Sequence, residues 1–253
     1  EPVADRVRYV SELAAAWTSL RETAAEDRRI ALVLANYPNR DGRLGNGVGL
    51  DTPAGAVELL GALKKAGYGI KDIPVDGDDL IDRVMAGPTN AFENLDDRNI
   101  AETLVMADYQ IFFGGLPKAV QGAVTDRWGA PEADPFFRSG EVDCGHFAVP
   151  AFRLGNVAVC LQPARGYNID PKETYHDPDL VPPHNYLAFY AWLRNAFRAH
   201  AVIHFGKHGN LEWLPGKALA LDNTCYPEAI LGPLPHLYPF IVNDPGEGTQ
   251  AKR

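Results

Sequence analysis

The densest run of chemistry-bearing side chains is His204-Phe205-Gly206-Lys207-His208-Gly209-Asn210-Leu211-Glu212, and six of the seven histidines lie between positions 176 and 236. Imidazole and carboxylate both bind divalent ions and both exchange protons near neutral pH. Any one of these histidines alone is better read as a satisfied structural group. Clustered with Glu212 within nine residues and loosened by two glycines, His204 and His208 point instead to a metal or proton-transfer site. The spacing is not that of the H-E-x-x-H metalloproteases, which need both histidines on one uninterrupted helix.

Three other stretches carry polar groups. The segment Gln162-Pro163-Ala164-Arg165-Gly166-Tyr167-Asn168-Ile169-Asp170, continuing to Tyr175-His176-Asp177-Pro178-Asp179, offers a cation, an aromatic plate and carboxylates. Gly45-Asn46-Gly47-Val48-Gly49 has the spacing G-x-G-x-G rather than the dinucleotide fingerprint, so it reads as a substrate-contacting or structural loop with Asn36, Arg40, Asp41 and Arg43 as its polar members. Asn243-Asp244-Pro245-Gly246-Glu247-Gly248 contains a Pro-Gly turn that would form whatever its function.

Positioning these groups requires strands that end at them. Ile30-Ala31-Leu32-Val33-Leu34-Ala35 is a continuous apolar run of the kind buried on both faces of a parallel sheet. Thr52-Pro53 then predicts the N-cap and first turn of a helix carrying Val57, Leu60 and Leu63 and ending near Gly67. Strand, glycine loop and helix open an α/β unit. Upstream, Val3, Val7, Val10, Leu13, Trp17 and Leu20 recur at spacings of three and four, predicting an amphipathic helix opened by Pro2. Downstream, the patterns predict a helix over 101–107, a strand from Tyr109 to Phe113 and a hairpin of Phe147–Leu154 with Asn156–Leu161 about Gly155. Pro182-Pro183 opens a helix with Tyr186, Phe189, Tyr190, Leu193 and Phe197 on one face, and Ala201–Phe205 and Tyr238–Val242 read as the last strands. The expected fold is α/β: a mainly parallel, Rossmann-like sheet with long Gly/Pro-rich loops and an added β-hairpin. Its expected parts are an amphipathic helix over 1–28, an α/β lobe over 29–140 and a second α/β lobe over 141–253 that carries the histidine cluster. In such sheets ligands sit at the strand C-termini.

Composition bounds the function. With 24 basic against 33 acidic residues the formal charge is −9, which argues against nucleic acid or an anionic membrane as a partner for the whole surface. No apolar run reaches the ~18 residues of a membrane span. Cys144, Cys160 and Cys225 show no C-x-x-C spacing, so reduced thiols are expected rather than a disulfide framework or a thiolate zinc site. Glycine and proline number 24 and 20, well above average usage, so much of the chain is expected in loops on a scaffold. The chain opens on Glu1 and closes on Gln250-Ala251-Lys252-Arg253 with no helix stop signal, which reads as a segment of a longer polypeptide.

The motifs are long enough to be compared with known families. His204 through Lys217, reading HFGKHGNLEWLPGK, resembles the signature of the large subunit of aerobic cobaltochelatase, and so does Leu237-Tyr238-Pro239-Phe240-Ile241-Val242-Asn243-Asp244-Pro245-Gly246-Glu247-Gly248. The related large subunit of magnesium chelatase shares the core, but typically reads Asn-Pro-Ser-Glu where this chain has Asp244-Pro245-Gly246-Glu247. Asn36-Tyr37-Pro38-Asn39-Arg40 through Gly49, and Tyr175 through His184, also look like the cobalt branch, so the resemblance spans roughly residues 29 to 253.

The resemblance implies a tetrapyrrole-binding, metal-inserting subunit of a cytoplasmic, ATP-dependent complex, acting on hydrogenobyrinic acid a,c-diamide with Co²⁺ as substrate metal. It also implies an AAA+ ATPase and a midas-containing subunit as partners, with ATP and Mg²⁺ bound there; this chain itself has no G-x-x-x-x-G-K-[ST] motif. Metal insertion needs ligands that exchange, and imidazole with carboxylate suits transient delivery. His204, His208 and Glu212 are the candidates to hold the ion, and Glu212 and His208 to accept the ring N–H protons. Glu212 is the first choice as base, because burial against Trp213 and Leu214 would raise its pKa. Arg165, Lys207 and Lys217 are candidates to pair with the macrocycle's carboxylates, Tyr167 and Trp213 to stack on its face, and His176, Asn36 and Arg40 to contact it further. The alternatives are a porphyrin-specific magnesium chelatase, a tetrapyrrole carrier without chemistry, and a metal-dependent hydrolase using the same His and Glu groups.

Overall fold

The computed structural model describes residues 1–36, 44–45, 49–140, 144–166, 177, 179–206 and 209–239. At its centre is strand β1 (Ile30–Leu34), with all five residues buried. β1 pairs in parallel with β6 (Val157–Leu161) on one side and β7 (Ala201–Phe205) on the other, which sets Val33 opposite both Cys160 and His204. β5 (Ala151–Leu154) joins β6 antiparallel at one edge, and β8 (His236–Leu237) joins β7 in parallel at the other. The order is β5-β6-β1-β7-β8. Alternation sends Ala31, Val33, Ala158, Cys160 and Val202 to one face. Leu32, Leu34, Val157, Val159 and Leu161 go to the other. Both faces are covered, as the unbroken apolar runs require.

The second face is closed by helix α2 (Thr52–Lys65), through Ala56 and Leu60, and by α3 (Gly77–Ala86), through Leu80 and Val84. The N-cap of α2 is Asp51, not the expected Thr52: the Asp51 carboxylate accepts from the Ala54 amide, which leaves Thr52-Pro53 in the first turn. α3 has no counterpart among the expected elements, although Asp76 caps it and Leu80 and Val84 mark its buried side.

The first face is closed by α6 (His184–Ala191), every residue of which is buried, running on into a π-helical turn over Trp192–Ala196. A helix buried all round needs cover on its far side. A small antiparallel sheet of β2 (Glu102–Val105), β4 (His146–Val149) and β3 (Phe137–Arg138), together with α4 (Met106–Gly114) and α5 (Lys118–Trp128), supplies it. Because Pro183 caps α6 without a side-chain hydrogen bond, buried Asp134 does so instead, accepting from the Asn185 amide at 2.8 Å. Both sheets combine strands from before and after residue 140, so that boundary does not divide one sheet from the other.

Several expected elements are corrected. The helix over 101–107 and the strand over 109–113 are exchanged: Glu102–Val105 is strand and Met106–Gly114 is helix. Met106, Tyr109 and Phe112 are buried at helical spacing, and an apolar run this short fits either period. The hairpin forms about Gly155, but its first arm is only Ala151–Leu154; Pro150 breaks the run, and His146–Val149 belongs to the other sheet. The last strand is His236–Leu237, two residues earlier than expected; Tyr238 and Pro239 follow it, and 240–242 lie outside the described residues.

Helix α1 (Ala4–Glu22) forms as expected, with Pro2 lying before its Val3 N-cap, but it has no buried residue. Its Arg6 pairs with Glu228 on α7 (Tyr226–Leu231), and its Tyr9 hydroxyl donates to the Gly232 carbonyl at 3.3 Å. Val3, Val7, Val10 and Trp17 are exposed. Among the described residues no helix is long and apolar enough to cross a membrane.

Candidate functional site at the C-terminal edge of the parallel strands

The parallel strands β6, β1 and β7 end side by side, and the chain beyond each end is held in place by hydrogen bonds. The Ala35 amide donates to the Phe205 carbonyl at 2.8 Å, and the Gln162 amide to the Leu34 carbonyl at 3.0 Å. Gly206, at φ +128°, packs where an added Cβ would lie 2.6 Å from that of Ala35, so β7 and β1 can part here only at a glycine. From this edge rise the segments that carry Arg165, His204, Glu212 and Tyr238.

His204 sits on the α6 face of β7 and is 1% exposed. Its ring therefore does not open onto solvent. Its ring stacks on Tyr238, with centroids 5.1 Å apart at 30°, and lies 5.9 Å from the ring of His236. Gly209 folds over it so closely that an added Cβ would be 2.7 Å from Nε2. Among the described residues the Nε2 atoms of both histidines are buried without a hydrogen-bond partner. Burial, aided by the nearby His236, pushes the His204 pKa down to about 3; burial pushes that of His236 down to about 4. Both rings are thus neutral at pH 7, the protonation state that a metal ligand or proton acceptor requires.

Glu212 lies in a 3₁₀ turn over Leu211–Trp213, in the segment that follows β7. The Tyr238 hydroxyl donates to Glu212 Oε1 at 2.8 Å and accepts from the Gly209 amide at 2.5 Å. Burial, then the Glu212 charge, raises the Tyr238 phenol, which stays protonated and remains a donor. Arg165 is buried, and its guanidinium donates to the main-chain carbonyls of Trp213, at 2.5 Å, and Asp177, at 3.2 Å. Asn210 closes the base of the loop: its Nδ2 donates to the Pro163 carbonyl at 2.9 Å and its Oδ1 accepts from the Tyr186 hydroxyl at 2.8 Å. Tyr190 donates to Gln162 Oε1 at 3.1 Å, so α6 holds both polar loops from below.

Of the residues picked from sequence, the structure therefore joins His204 and Glu212 through one tyrosine, and Arg165 and Trp213 through a hydrogen bond. Asn36 is buried just beyond β1, and neither of its side-chain polar atoms has a partner among the described residues. Lys217 is well exposed and forms an ion pair with Asp222 at 2.5 Å. His208, Lys207, Tyr167, His176 and Arg40 lie outside the described residues. Among the described residues no three His, Cys, Asp or Glu side chains converge on a common metal position. Cys160 and Cys225 are buried and Cys144 exposed, all as free thiols. Sequence reasoning passes over His236, Tyr238 and Asn210 as site members. Their signal is the match of β8 to β7, which sets His236 opposite Val202 and carries Tyr238 to the level of His204. A separate cleft of about 360 Å³, lined by Arg6, Tyr9, Arg194 and Glu228 among others, shares no residue with this site.

The site's motifs and the whole chain have clear relatives. The chain is 64% identical to the aerobic cobaltochelatase subunit CobN of Sinorhizobium sp over 253 residues, covering 100% of this chain and 19% of that protein. It is 34% identical to a magnesium-chelatase subunit (the H type) of Chlorobaculum parvum over 269 residues, again spanning 19% of that protein. The solved catalytic subunit of cobaltochelatase from Mycobacterium tuberculosis superposes with a TM-score of 0.85 at 44% identity, over 100% of this chain and 21% of that one. The chain thus spans about a fifth of the length of these relatives. The CobN/Magnesium Chelatase family model matches residues 1–253, and the chain belongs to that family.

Proposed function

We propose that this chain forms part of the metal-inserting subunit of a cobaltochelatase, placing Co²⁺ in a corrin of the hydrogenobyrinic acid type, with Glu212 as the principal proton acceptor. The observation that carries the reading is the Glu212 carboxylate, held by the Tyr238 hydroxyl at 2.8 Å beside the neutral ring of His204, at the strand edge where α/β sheets present their ligands. The 64% identity to a cobaltochelatase subunit, against 34% to a magnesium-chelatase subunit, supports the cobalt branch.

Insertion exchanges the inner N–H proton of the corrin for the divalent ion: the proton leaves on an acceptor as the ring nitrogens take up the metal. A carboxylate serves both needs, since it binds the incoming Co²⁺ weakly enough to release it and takes up a proton as the ion departs. In this reading Glu212 and His208 face the ring and the ion. His204, buried beneath Gly209, forms the floor and adds its unpartnered Nε2 to the ligand set only if the backbone at Gly209 shifts. Arg165 secures the Trp213 carbonyl, and Trp213 offers its indole to the macrocycle. Lys207 and Lys217 supply cations for peripheral carboxylates, with Lys217 exchanging Asp222 for substrate. Tyr167, His176, Asn36 and Arg40 complete the substrate contacts. ATP and Mg²⁺ are assigned to the AAA+ and midas-containing partners, and the assembly to the cytoplasm.

Glu212→Gln tests this in the full-length polypeptide assembled with its partners. It keeps shape and burial but removes the acceptor, so cobalt insertion is expected to stop while corrin binding, followed by absorbance, persists. Undiminished insertion would refute the assignment. Parallel titration with a porphyrin separates the magnesium branch, and ring binding without any metal-dependent spectral change would favour a carrier.

A further inference from the structure

We infer that Tyr238 is a positioning residue that sets both Glu212 and the backbone next to His208 through a single hydroxyl. The inference rests on the proposed role of Glu212 and adds to it a residue that the sequence motif does not single out. Tyr238 Oη has one proton, and it is directed at Glu212 Oε1 at 2.8 Å; an oxygen lone pair takes the Gly209 N–H at 2.5 Å. The two bonds are complementary, so the hydroxyl has one orientation that satisfies both. The ring beneath it cannot rotate away, because it stacks on His204 at 5.1 Å and lies 6.0 Å from His236 at 21°.

The consequence is geometric. Glu212 and Gly209 belong to the same segment but are separated by the turn that starts at Asn210, and the hydroxyl bonds to both. It therefore sets the distance between the Glu212 carboxylate and the residue that follows His208. A carboxylate held to a few tenths of an ångström can meet a ring proton or an ion on arrival, whereas a swinging one must first be ordered. The bond also ties the residue after β8 to the segment that follows β7.

The test is Tyr238→Phe in the full-length polypeptide with its partner subunits, assayed with Co²⁺, corrin and ATP. Phenylalanine keeps the stack on His204 and deletes only the hydroxyl. A positioning role predicts that kcat falls roughly ten- to a hundredfold, while the corrin dissociation constant and the midpoint of thermal unfolding stay close to those of the parent. In a Glu212→Asp background, whose carboxylate is too short to reach the hydroxyl, the same change should cost far less. Wild-type kcat in Tyr238→Phe overturns the inference, as does a loss matched by an equal fall in corrin affinity and thermal stability. If Glu212→Gln is inactive while Tyr238→Phe turns over normally, only the positioning role fails. If Glu212→Gln is itself active, the underlying assignment of Glu212 fails.

Discussion

Gly209 packs against the His204 ring so tightly that an added Cβ would lie 2.4 Å from His204 Cε1. Both residues are buried, and His204 cannot yield without disturbing its stack on Tyr238. Gly209→Ala should therefore displace the loop that carries His208 and Glu212. We expect a loss of about 1–3 kcal/mol in stability from overpacking, together with a larger fall in cobalt insertion. Chemical denaturation and turnover measured on the same preparation check this, and an alanine variant that behaves like the parent in both would show that the packing is looser than described.

The two buried histidines make stability depend on pH. Their folded-state pKa values, about 3 for His204 and about 4 for His236, lie below the unfolded value of 6.5. Between these limits the unfolded chain binds more protons than the folded one, so stability is full above about pH 6.5 and falls as the pH drops. The loss levels off once the folded rings protonate too. The slope is roughly 1.4 kcal/mol per pH unit for each histidine within its window. His204→Phe keeps an aromatic ring against Tyr238 without a titrating group. Urea unfolding at pH 7 and pH 5 should show a smaller pH effect in this variant than in the parent, and equal slopes would contradict the burial of a neutral imidazole.

The residue pattern points to Arg165 as a cation for substrate carboxylates, yet its buried guanidinium donates to the carbonyls of Trp213 and Asp177. Arg165→Met retains much of the apolar stem but abandons both carbonyls. Charged hydrogen bonds of this kind contribute about 1.5–3 kcal/mol, so the variant should unfold earlier and bind corrin more weakly as the Trp213 turn loosens. Weaker binding with unaltered unfolding would instead favour direct contact with substrate.

Behind the site, the Tyr109 hydroxyl meets His184 Nδ1 at 2.5 Å while His184 Nε2 meets the Gly129 carbonyl at 3.0 Å. The carbonyl only accepts, so Nε2 carries the proton and Nδ1 accepts from Tyr109. Burial lowers the His184 pKa and keeps it in this neutral form. Tyr109→Phe strands a buried acceptor at the start of α6, at a cost of about 1–3 kcal/mol. Because α6 supports the polar loops through Tyr186 and Tyr190, a drop in melting temperature should accompany reduced activity; an unchanged melting temperature would contradict this account.

Sequence patterns suffice where one signal dominates. The buried run of β1, the capped helix α2 and the β7 strand ending near the histidine cluster all form close to the expected bounds. The segment from Met106 to Gly114 misleads because its apolar residues are too dense to show a period, and because packing on α6 and the small sheet decides its conformation. In the site, His204 and Glu212 stand out through clustering. Tyr238 does not, because its role comes from contacts 26 to 34 residues away that exist only once β8 lies beside β7.

Helix α1 has a further consequence. Val3, Val7, Val10 and Trp17 form a strip of wetted hydrocarbon beside the exposed Arg8 and Glu12, in a chain whose net charge is −9. Those two properties set the solution behaviour of the 253-residue chain handled alone. In dilute buffer, charge repulsion holds copies apart. In ammonium sulfate, where repulsion is screened and wetted apolar area becomes costlier, covering this strip becomes more favourable.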